Sequence, residues 1–356
     1  MRTNLSPFNA ARTFYHSLRQ KSRTFCNFFL RFFNVFAILT LLKEVIVLKR
    51  IFAFLLIVAL LSGCAPAVKS ADVHVFCMDT VMDLTVWGTD ADAALGDMSA
   101  ALRALEKNWS ASDEKSLVSA LNRGEGTPDD AQQALLDQVL LLKDRTNGAF
   151  DPHLRGLIEA WGFPTDEKKI PTAQELADAM AGEGWDLGAA VKGYAGACLV
   201  EILEQYDVER AVLNLGGNIQ TYGEKPDGQP WYVAVQNPDL SQDHLGVISV
   251  YGTMAVVTSG DYQRYFEVDG KRYHHILDPE TGYPAESGLA SVTVICRDGL
   301  TADALSTALF VMGLEKAADF WRESEDFEAV FVTKDGKIYA TEGVILSDCV
   351  FEVISR

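Results

Sequence analysis

The sequence predicts an α+β fold: a single compact domain of mixed sheets and helices that follows an N-terminal export signal. Apolar residues recur at helical spacing in several segments. Strand-like segments meet at hairpin signals, of which Asp269-Gly270 and Asp335-Gly336 are the clearest. Because these helices and strands do not alternate in the rhythm of βαβ units, a parallel α/β sheet is not predicted.

The predicted elements begin at residue 73. The apolar segment over residues 73–87 predicts two strands joined around Met78-Asp79-Thr80. Residues 92–109 and 130–145 predict amphipathic helices, and Asn147-Gly148 is a typical stop for the second. Further helices are predicted over residues 173–181, 190–206, 300–312 and 314–323, and further strands over residues 211–215, 231–236, 247–250, 255–259, 291–296 and 329–333.

The charge excludes one class of function. The 356 residues include 49 acidic and 31 basic side chains, which gives a formal net charge of −18. Proteins that bind nucleic acids neutralise phosphates with clustered Lys and Arg, so a nucleic-acid partner is not expected. The hydrophobic share of 48% is ample for a large core.

The N-terminal region has the opposite charge balance. Residues 1–63 hold nine Lys or Arg and one acidic residue, whereas residues 64–356 hold 22 basic and 48 acidic residues. Lys49-Arg50 precede an uncharged apolar run over residues 51–61, which is the order of an export signal. The run is short for a membrane span.

The tetrapeptide that ends this run, Leu61-Ser62-Gly63-Cys64, resembles a bacterial lipobox. The resemblance implies that Cys64 is diacylated and anchors the chain to the membrane at the extracytoplasmic face of the cell envelope. An uncleaved anchor and a signal without lipidation remain alternatives. The other cysteines show no CxxC spacing, so they predict no metal or redox motif. We expect four parts: a basic extension and signal over 1–63, a lipidated linker over 64–72, a folded domain over 73–345 and a C-terminal tail over 346–356.

One candidate metal site lies at the start of an apolar helix, in residues 302–307. Asp303 and Thr307 are four residues apart, so carboxylate and hydroxyl share one helix face and can both reach a hard cation such as Mg²⁺. The alternative is that Asp303 caps the helix while Thr307 bonds back to a carbonyl group. Spacing alone favours that alternative.

Two segments with small residues are candidate ligand contacts. In residues 186–194 a short strand turns into a helix, where backbone amides can face a phosphate and Lys192 adds a positive charge. The segment lacks the P-loop pattern. The glycines of Asn214-Leu215-Gly216-Gly217-Asn218 allow a ligand to approach the backbone. Taken singly, each segment is better explained as an ordinary helix start or a tight turn.

Adjacent histidines in a predicted strand supply a candidate general base. His274 and His275 point to opposite faces of the strand, so only one can face a given site and a two-histidine metal clamp is not expected. His275 beside Asp278 is a plausible base, since an imidazole titrates near neutral pH. A structural role is the more common fate of a single strand histidine.

Taken together, the segments resemble the ApbE-type FAD:protein FMN transferases, with an ApbE or T-fold-like domain. The resemblance covers residues 73–341 and reverses the preference for the structural alternatives. The matching segments are Met78-Asp79-Thr80, Ala149-Phe150-Asp151-Pro152, Trp161-Gly162-Phe163, Asp186-Leu187-Gly188 with Lys192-Gly193-Tyr194, Asn214 to Asn218, Thr258 to Tyr262, His275 to Pro279 with Thr281-Gly282, and Ala302 to Thr307.

The resemblance also implies the site residues. The residues expected to bind FAD are Met78, Ser112, Ala149, Phe150, Asp151, Asp186, Lys192 and Ile276. Mg²⁺ is expected on the Ala189 carbonyl, Asp303 and Thr307, with Ser306 nearby. Two positions depart from the family pattern: Ser112 stands where an aromatic residue can stack, and Asp79 replaces a glycine.

The reaction implied is transfer of the FMN moiety of FAD to a threonine hydroxyl of an acceptor protein, with release of AMP. The acceptor is expected to carry a short flavinylation motif that contains Ser or Thr. His275 is the expected base, oriented by Asp278 or Asp261. Two other readings stay open: an FAD pyrophosphatase that gives FMN and AMP, and a non-catalytic FAD-binding lipoprotein.

Overall fold

The computed structural model describes residues 68–165, 167–238 and 244–356, so the predicted signal and Cys64 lie outside the described residues. The helices of this part are α1 (Ala91–Trp109), α2 (Leu117–Asn122), α3 (Asp130–Arg145), α4 (Arg155–Ala160), α5 (Ala173–Met180), α6 (Val191–Leu203) and α7 (Gly299–Arg322). The strands are β1 (Ser70–Cys77), β2 (Thr80–Gly88), β3 (Val208–Leu215), β4 (Asn218–Tyr222), β5 (Trp231–Val235), β6 (Gly246–Val250), β7 (Ala255–Gly260), β8 (Tyr265–Val268), β9 (Lys271–His274), β10 (Leu289–Cys296), β11 (Phe327–Thr333), β12 (Ile338–Thr341), β13 (Leu346–Ser347) and β14 (Glu352–Ile354).

Nine strands form the central sheet in the order β1-β2-β3-β4-β7-β10-β11-β12-β14. Neighbouring strands are antiparallel, except that β12 and β14 run parallel. A second sheet has the order β13-β6-β5, and β8 and β9 form a separate hairpin. The predicted α+β class is therefore confirmed.

Both faces of the central sheet are covered. Helices α1 and α6 pack against β1, β2 and β3, and α7 packs against β7, β10 and β11. On the opposite face, Trp231 and Ile248 of the small sheet pack against Val256, Ile295 and Val330 of the central sheet. Strand β10 lies between the two layers, which explains why all eight of its residues are buried.

Local sequence explains where the helices begin and break. Helix α3 begins with a capping box, in which Asp129 and Gln132 each accept a backbone N–H of the other. Helix α7 is capped by Asp298, whose Oδ1 accepts the Thr301 N–H at 2.7 Å. The two helices predicted over residues 300–312 and 314–323 are one element that breaks at Gly313, where φ is +77°.

Some elements differ from the prediction. Strand β4 lies where only a turn was expected after Gly216-Gly217, and α2 and α4 were not predicted. Residues 346–356, expected to be a tail, supply β13, which pairs with β6, and β14, which pairs with β12. Strands of two and three residues are too short for alternation to reveal, and their partners are distant in sequence. None of the helices in the described residues is both long enough and apolar enough to cross a membrane.

Candidate active site

Helices α6 and α7 cross at backbone contact distance, and the crossing positions the carboxylate of Asp303. A Cβ atom on Gly193 would lie 2.0 Å from the Gly299 carbonyl oxygen, and one on Gly299 would lie 2.4 Å from the Gly193 carbonyl oxygen. Neither position therefore has room for a side chain. The Gly193 N–H donates to Asp303 Oδ2 at 2.8 Å, and Asp303 is only 4% exposed. The first turns of the two helices are thus joined directly.

Three hydroxyl groups line up beside Asp303. Ser306 Oγ donates to the Asp303 carbonyl oxygen at 2.8 Å and lies 2.8 Å from Ser259 Oγ of β7. Ser259 Oγ in turn lies 3.2 Å from Thr307 Oγ1. Because the Ser306 hydroxyl donates its proton to a carbonyl oxygen, it must accept from the Ser259 hydroxyl. The Ser259 oxygen in turn accepts from the Thr307 hydroxyl. This order leaves the lone pairs of Thr307 Oγ1 available.

The oxygen atoms at this crossing fit a hard cation. Asp303 Oδ1 and the Ala189 carbonyl oxygen accept no hydrogen bond from the described residues. The Gly193 N–H, four residues after Ala189, donates to Asp303 Oδ2 and not to the Ala189 carbonyl oxygen. One carboxylate with hydroxyl and carbonyl oxygens is a donor set that Mg²⁺ prefers. In the part of the chain that the structure describes, no group of three or more His, Cys, Asp or Glu side chains is placed to bind a metal. The capping role considered for Asp303 belongs instead to Asp298.

His275 lies beyond the end of the β8–β9 hairpin, opposite Arg264. Its N–H donates to the Arg264 carbonyl oxygen at 3.0 Å, and its ring Nδ1 lies 3.2 Å from the same oxygen. A proton on Nδ1 completes that bond and leaves Nε2 as an acceptor. Burial, together with the positive charges of Arg264 and Lys192, lowers the pKa of His275 to about 3. The ring is therefore neutral at pH 7.

The two adjacent histidines occupy opposite faces of the hairpin, as the sequence indicated. The His275 ring lies 6.5 Å from the Phe163 ring, whereas the His274 ring packs edge-on against Phe310 at 5.5 Å. His274 is buried, and burial lowers its pKa to about 4. Only His275 is therefore on the side of Lys192 and Arg264.

Neither acid expected to orient His275 contacts its ring. Asp278 Oδ1 accepts the Glu280 N–H at 2.8 Å, and the Asp278 N–H donates to the Tyr283 carbonyl oxygen, so this residue organises the turn that follows. Asp261 is paired with Arg272 at 3.6 Å and Lys334 at 3.8 Å. The Arg264 carbonyl group occupies the orienting position instead.

Lys192 and the turn at Met78 frame the same region. Lys192 lies in the first turn of α6, one residue before Gly193. Met78 and Asp79 both have positive φ angles, +52° and +59°, which is the conformation of a tight two-residue hairpin turn. The Met78 N–H donates to Glu106 Oε1 at 2.7 Å. Asp79 Oδ2 lies 3.8 Å from Arg264 Nη2, so this turn reaches the residue opposite His275.

The Ala149-Phe150-Asp151 segment is held from α3. Phe150 is buried in the same cluster as Leu300 and Ala304 of α7, and Ala149 and Ala189 pack against that cluster. Asp151 Oδ2 pairs with Lys143 Nζ at 2.9 Å, and Asp151 Oδ1 accepts the His153 N–H. Burial acts to raise the pKa of Asp151, but the hydrogen bonds from His153 and Lys143 outweigh it, so the pKa is lowered.

Asp186 lies next to that segment. Its N–H donates to the Pro152 carbonyl oxygen at 2.8 Å, and its Oδ1 accepts the Gly188 N–H at 2.9 Å. Burial raises its pKa, partly offset by Gly188 and Arg155. The preceding residue, Trp185, is fixed by Asn122, whose Oδ1 accepts the Trp185 N–H and whose Nδ2 donates to the Trp185 carbonyl oxygen.

The remaining two predicted FAD residues have different surroundings. Ile276 is buried in the cluster formed by α7 and β10, directly after His275. Ser112 is exposed in the turn that follows α1, after the buried Trp109. No contact in the described residues joins Ser112 to the other predicted site residues.

Sequence reasoning missed several residues of this site. Ser259 was inside a highlighted segment without a role, and Arg264, Glu106, Lys143 and Arg155 were not singled out. A β8–β9 hairpin centred on Asp269-Gly270 places Arg264 opposite His275, so the predicted turn already contained that signal. The other contacts join residues too far apart in sequence for spacing to reveal.

Comparisons with known proteins identify the family of this chain. The ApbE family model matches residues 78–331. The chain is similar to the FAD:protein FMN transferase of Treponema pallidum, with 31% identity over 294 residues that cover 72% of this chain and 81% of the relative. One from Klebsiella pneumoniae is 31% identical over 321 residues, covering 79% and 91%.

A solved structure extends the similarity to the fold. The ApbE protein of Thermotoga maritima superposes with a TM-score of 0.71 and 32% sequence identity, over 77% of this chain and 97% of the other. The matched residues include the α6–α7 crossing, the hairpin with His275 and the Met78 turn. The chain belongs to the ApbE family of FAD:protein FMN transferases.

Proposed function

We propose that this chain catalyses the Mg²⁺-dependent transfer of the FMN moiety of FAD to a threonine hydroxyl of an acceptor protein, with release of AMP. The observation that carries the proposal is the crossing of α6 and α7. It places a buried carboxylate, Asp303, and the available oxygen of Thr307 beside the first turn of α6, which carries Lys192. An anion site next to a cation site is what a diphosphate substrate requires.

The reaction forms one bond and breaks another at the same phosphorus. The threonine oxygen attacks the FMN-side phosphorus of FAD, the bond to the bridging oxygen breaks, and AMP leaves with that oxygen. The hydroxyl proton goes to His275 Nε2, which is free because Nδ1 faces the Arg264 carbonyl group. Lys192 stabilises the negative charge that develops on the phosphoryl oxygens.

The low pKa of His275 fits this sequence of events. Burial and two cations keep its ring unprotonated before substrate binds, so it enters the reaction as an acceptor. The diphosphate of FAD brings negative charge close to the same cations and offsets their effect, which raises the pKa of His275 and makes it a stronger base. The base therefore strengthens when the substrate is in place.

Asp303, Thr307 and the Ala189 carbonyl group would hold the Mg²⁺, with Ser306 and Ser259 orienting Thr307. When bound, Mg²⁺ supplies charge neutralisation at the diphosphate. The chain's own part is to keep these oxygens in place, and for Asp303 a backbone N–H, that of Gly193, does so.

We also propose that the chain works at the extracytoplasmic face of the cell envelope, anchored by lipid on Cys64. The lipobox-like sequence Leu61-Ser62-Gly63-Cys64 supports this location. The acceptor would then be a protein of the same compartment. Metabolic labelling with a palmitate analogue tests the proposal, since the label should be present on the wild-type chain and absent from Cys64→Ser.

The test of the activity is mass spectrometry of an acceptor fragment incubated with FAD, Mg²⁺ and the full chain in detergent, with AMP measured in parallel. We expect a gain of one FMN mass on threonine that is lost with Asp303→Asn or with EDTA. Asp319→Asn is the matched control, because Asp319 is an exposed residue of the same helix. Release of AMP without labelling of any acceptor fragment would support a pyrophosphatase instead, and binding of FAD without AMP would support a binding protein.

A further inference from the structure

We propose that Arg264 is a second cation for the diphosphate of FAD, and that Asp79 holds Arg264 until the dinucleotide displaces it. The inference rests on the proposed function, because it concerns how the same site binds its substrate. It assigns a binding role to a residue outside the predicted site and a role in setting FAD affinity to Asp79.

The first step is the position of Arg264. In the β8–β9 hairpin Tyr265 pairs with His274, so Arg264 and His275 are the next opposite pair. The backbone N–H and the ring Nδ1 of His275 both contact the Arg264 carbonyl oxygen, which confirms this pairing. Opposite residues of an antiparallel pair project to the same face. The Arg264 side chain is therefore on the face of His275, with its backbone fixed by the hairpin.

The second step is the charge around His275. Both Arg264 and Lys192 are close enough to disfavour protonation of its ring. Two cations that both act on one neutral ring also repel each other, and an anion between them would offset that repulsion. The Oδ2 atom of Asp303 already accepts the Gly193 N–H. The pair of cations is thus suited to an anion that comes with the substrate, and a diphosphate is such an anion.

The third step is the weakness of the present partner. Arg264 Nη2 and Asp79 Oδ2 are 3.8 Å apart, and the two side chains are 58% and 82% exposed. Among the described residues, Arg264 has no other ion pair and its guanidinium makes no hydrogen bond. An exposed pair at this distance is easily broken, whereas a diphosphate offers short, charge-assisted bonds. Asp79 therefore keeps Arg264 near the site, but their ion pair is weak enough for a diphosphate to replace it.

Asp79 has a conformation suited to this task. It is the second residue of the Met78-Asp79 turn, with φ at +59°, and Asp tolerates that region better than most residues other than Gly and Asn. The turn is anchored at Met78 by Glu106, so the Asp79 carboxylate is presented from a fixed backbone. As a competing anion, Asp79 should weaken FAD binding slightly.

The experiment measures binding of FAD and of riboflavin, which lacks phosphate, to the full chain in detergent without acceptor protein. The variants are Arg264→Gln, Arg264→Lys, Asp79→Asn and the double variant Asp79→Asn with Arg264→Gln. We expect Arg264→Gln to weaken FAD binding about tenfold or more while leaving riboflavin binding unchanged, and Arg264→Lys to restore part of the loss. Asp79→Asn should tighten FAD binding about two- to fivefold. That gain should vanish in the double variant.

Three results would overturn the inference alone: Arg264→Gln binds FAD like the wild type, it loses FAD and riboflavin equally, or Asp79→Asn keeps its effect without Arg264. In each case the wild type still binds FAD and labels the acceptor, so the proposed function stands. A wild-type chain that binds riboflavin and FAD with equal affinity would instead contradict the proposed function, and this inference with it.

Discussion

The two walls of the candidate site, the α6–α7 crossing and the hairpin wall, hold their functional groups by different kinds of contact. The α6–α7 wall holds Asp303 through backbone contact at two glycines, in a region without room for a side chain. The hairpin wall, formed by the β8–β9 hairpin and the Met78-Asp79 turn, presents Arg264 and Asp79 as exposed side chains on a fixed backbone. The comparison teaches that the groups proposed for the metal are placed before substrate arrives, whereas the group proposed for the diphosphate is left free to change partner.

The largest effect should follow a change at the crossing. In Gly193→Ala the new Cβ atom would lie 2.0 Å from a carbonyl oxygen of α7 and 2.6 Å from the Asp303 Cβ, so the helices must separate. We expect a loss of about 3 kcal/mol in the free energy of unfolding and a transfer rate more than about 100-fold lower. Urea unfolding and FMN labelling measure the two effects.

The matched control for that variant is Gly96→Ala in α1, where an added Cβ meets nothing within 4 Å. Alanine favours a helix over glycine, so this change should raise the free energy of unfolding by about 0.5–1 kcal/mol. Equal stability of the two alanine variants would contradict the close backbone contact at the α6–α7 crossing.

The next largest effect is expected from the proton acceptor. His275→Gln removes the free Nε2, so we expect a fall of about 10²–10⁴-fold in the rate of FMN transfer, with FAD binding retained. Single-turnover labelling at saturating FAD measures this rate. His74→Gln, at an exposed histidine of β1, should leave it unchanged. Transfer at the wild-type rate in His275→Gln would remove His275 from the reaction.

A lower pH should reduce the free energy of unfolding through His274 and His275. The ordinary histidine pKa of 6.5 falls to about 4 at His274 and about 3 at His275, chiefly through burial. Below pH 6.5 the unfolded chain binds protons that the folded chain does not, so the free energy of unfolding falls with pH, by up to about 1.4 kcal/mol per pH unit for each histidine. His274 is 3% exposed, so solvent does not relieve its share of this loss.

Urea unfolding at pH 7 and pH 5 measures this loss, and His274→Leu should remove a large part of the difference. If the wild type and His274→Leu lost equal stability between the two pH values, the acid sensitivity would lie elsewhere.

The smallest effect is expected at Asp278. Its carboxylate accepts a backbone N–H of the following turn and does not contact His275, so Asp278→Asn should change the transfer rate less than about threefold. A pH–rate profile for this variant checks the assignment. A shift of the profile, or a rate loss close to that of His275→Gln, would restore Asp278 as the group that orients the base.

Local patterns were enough to predict much of this architecture. The spacing of Asp303 and Thr307 placed them on one helix face, and the Asp269-Gly270 signal predicted the hairpin that positions His275. Period and turn chemistry are properties of neighbouring residues, so a single sequence contains them. The likeness of the segments to ApbE-type proteins then identified which family they belong to.

The contacts that complete the site could not be predicted in this way. Gly193 and Asp303 are 110 positions apart, and nothing local shows that the amide of one meets the carboxylate of the other. Asp278 was expected beside His275 because it is close in sequence, yet its own turn takes its carboxylate. Similarly, β14 acquires its strand character from β12 and not from its own three residues.

The two hydrogen bonds between Asn122 and Trp185 have a consequence for how the Asp186 loop tolerates change. The Asn122 side-chain amide donates to the carbonyl oxygen of Trp185 and accepts from the N–H of the same residue. A paired β-strand makes the same two hydrogen bonds, so this side chain replaces a strand at that position. Aspartate in its place would turn a carboxylate oxygen toward the Trp185 carbonyl oxygen, and glutamine would be one carbon too long. The chemistry of a short amide thus ties the loop to a helix 63 positions away.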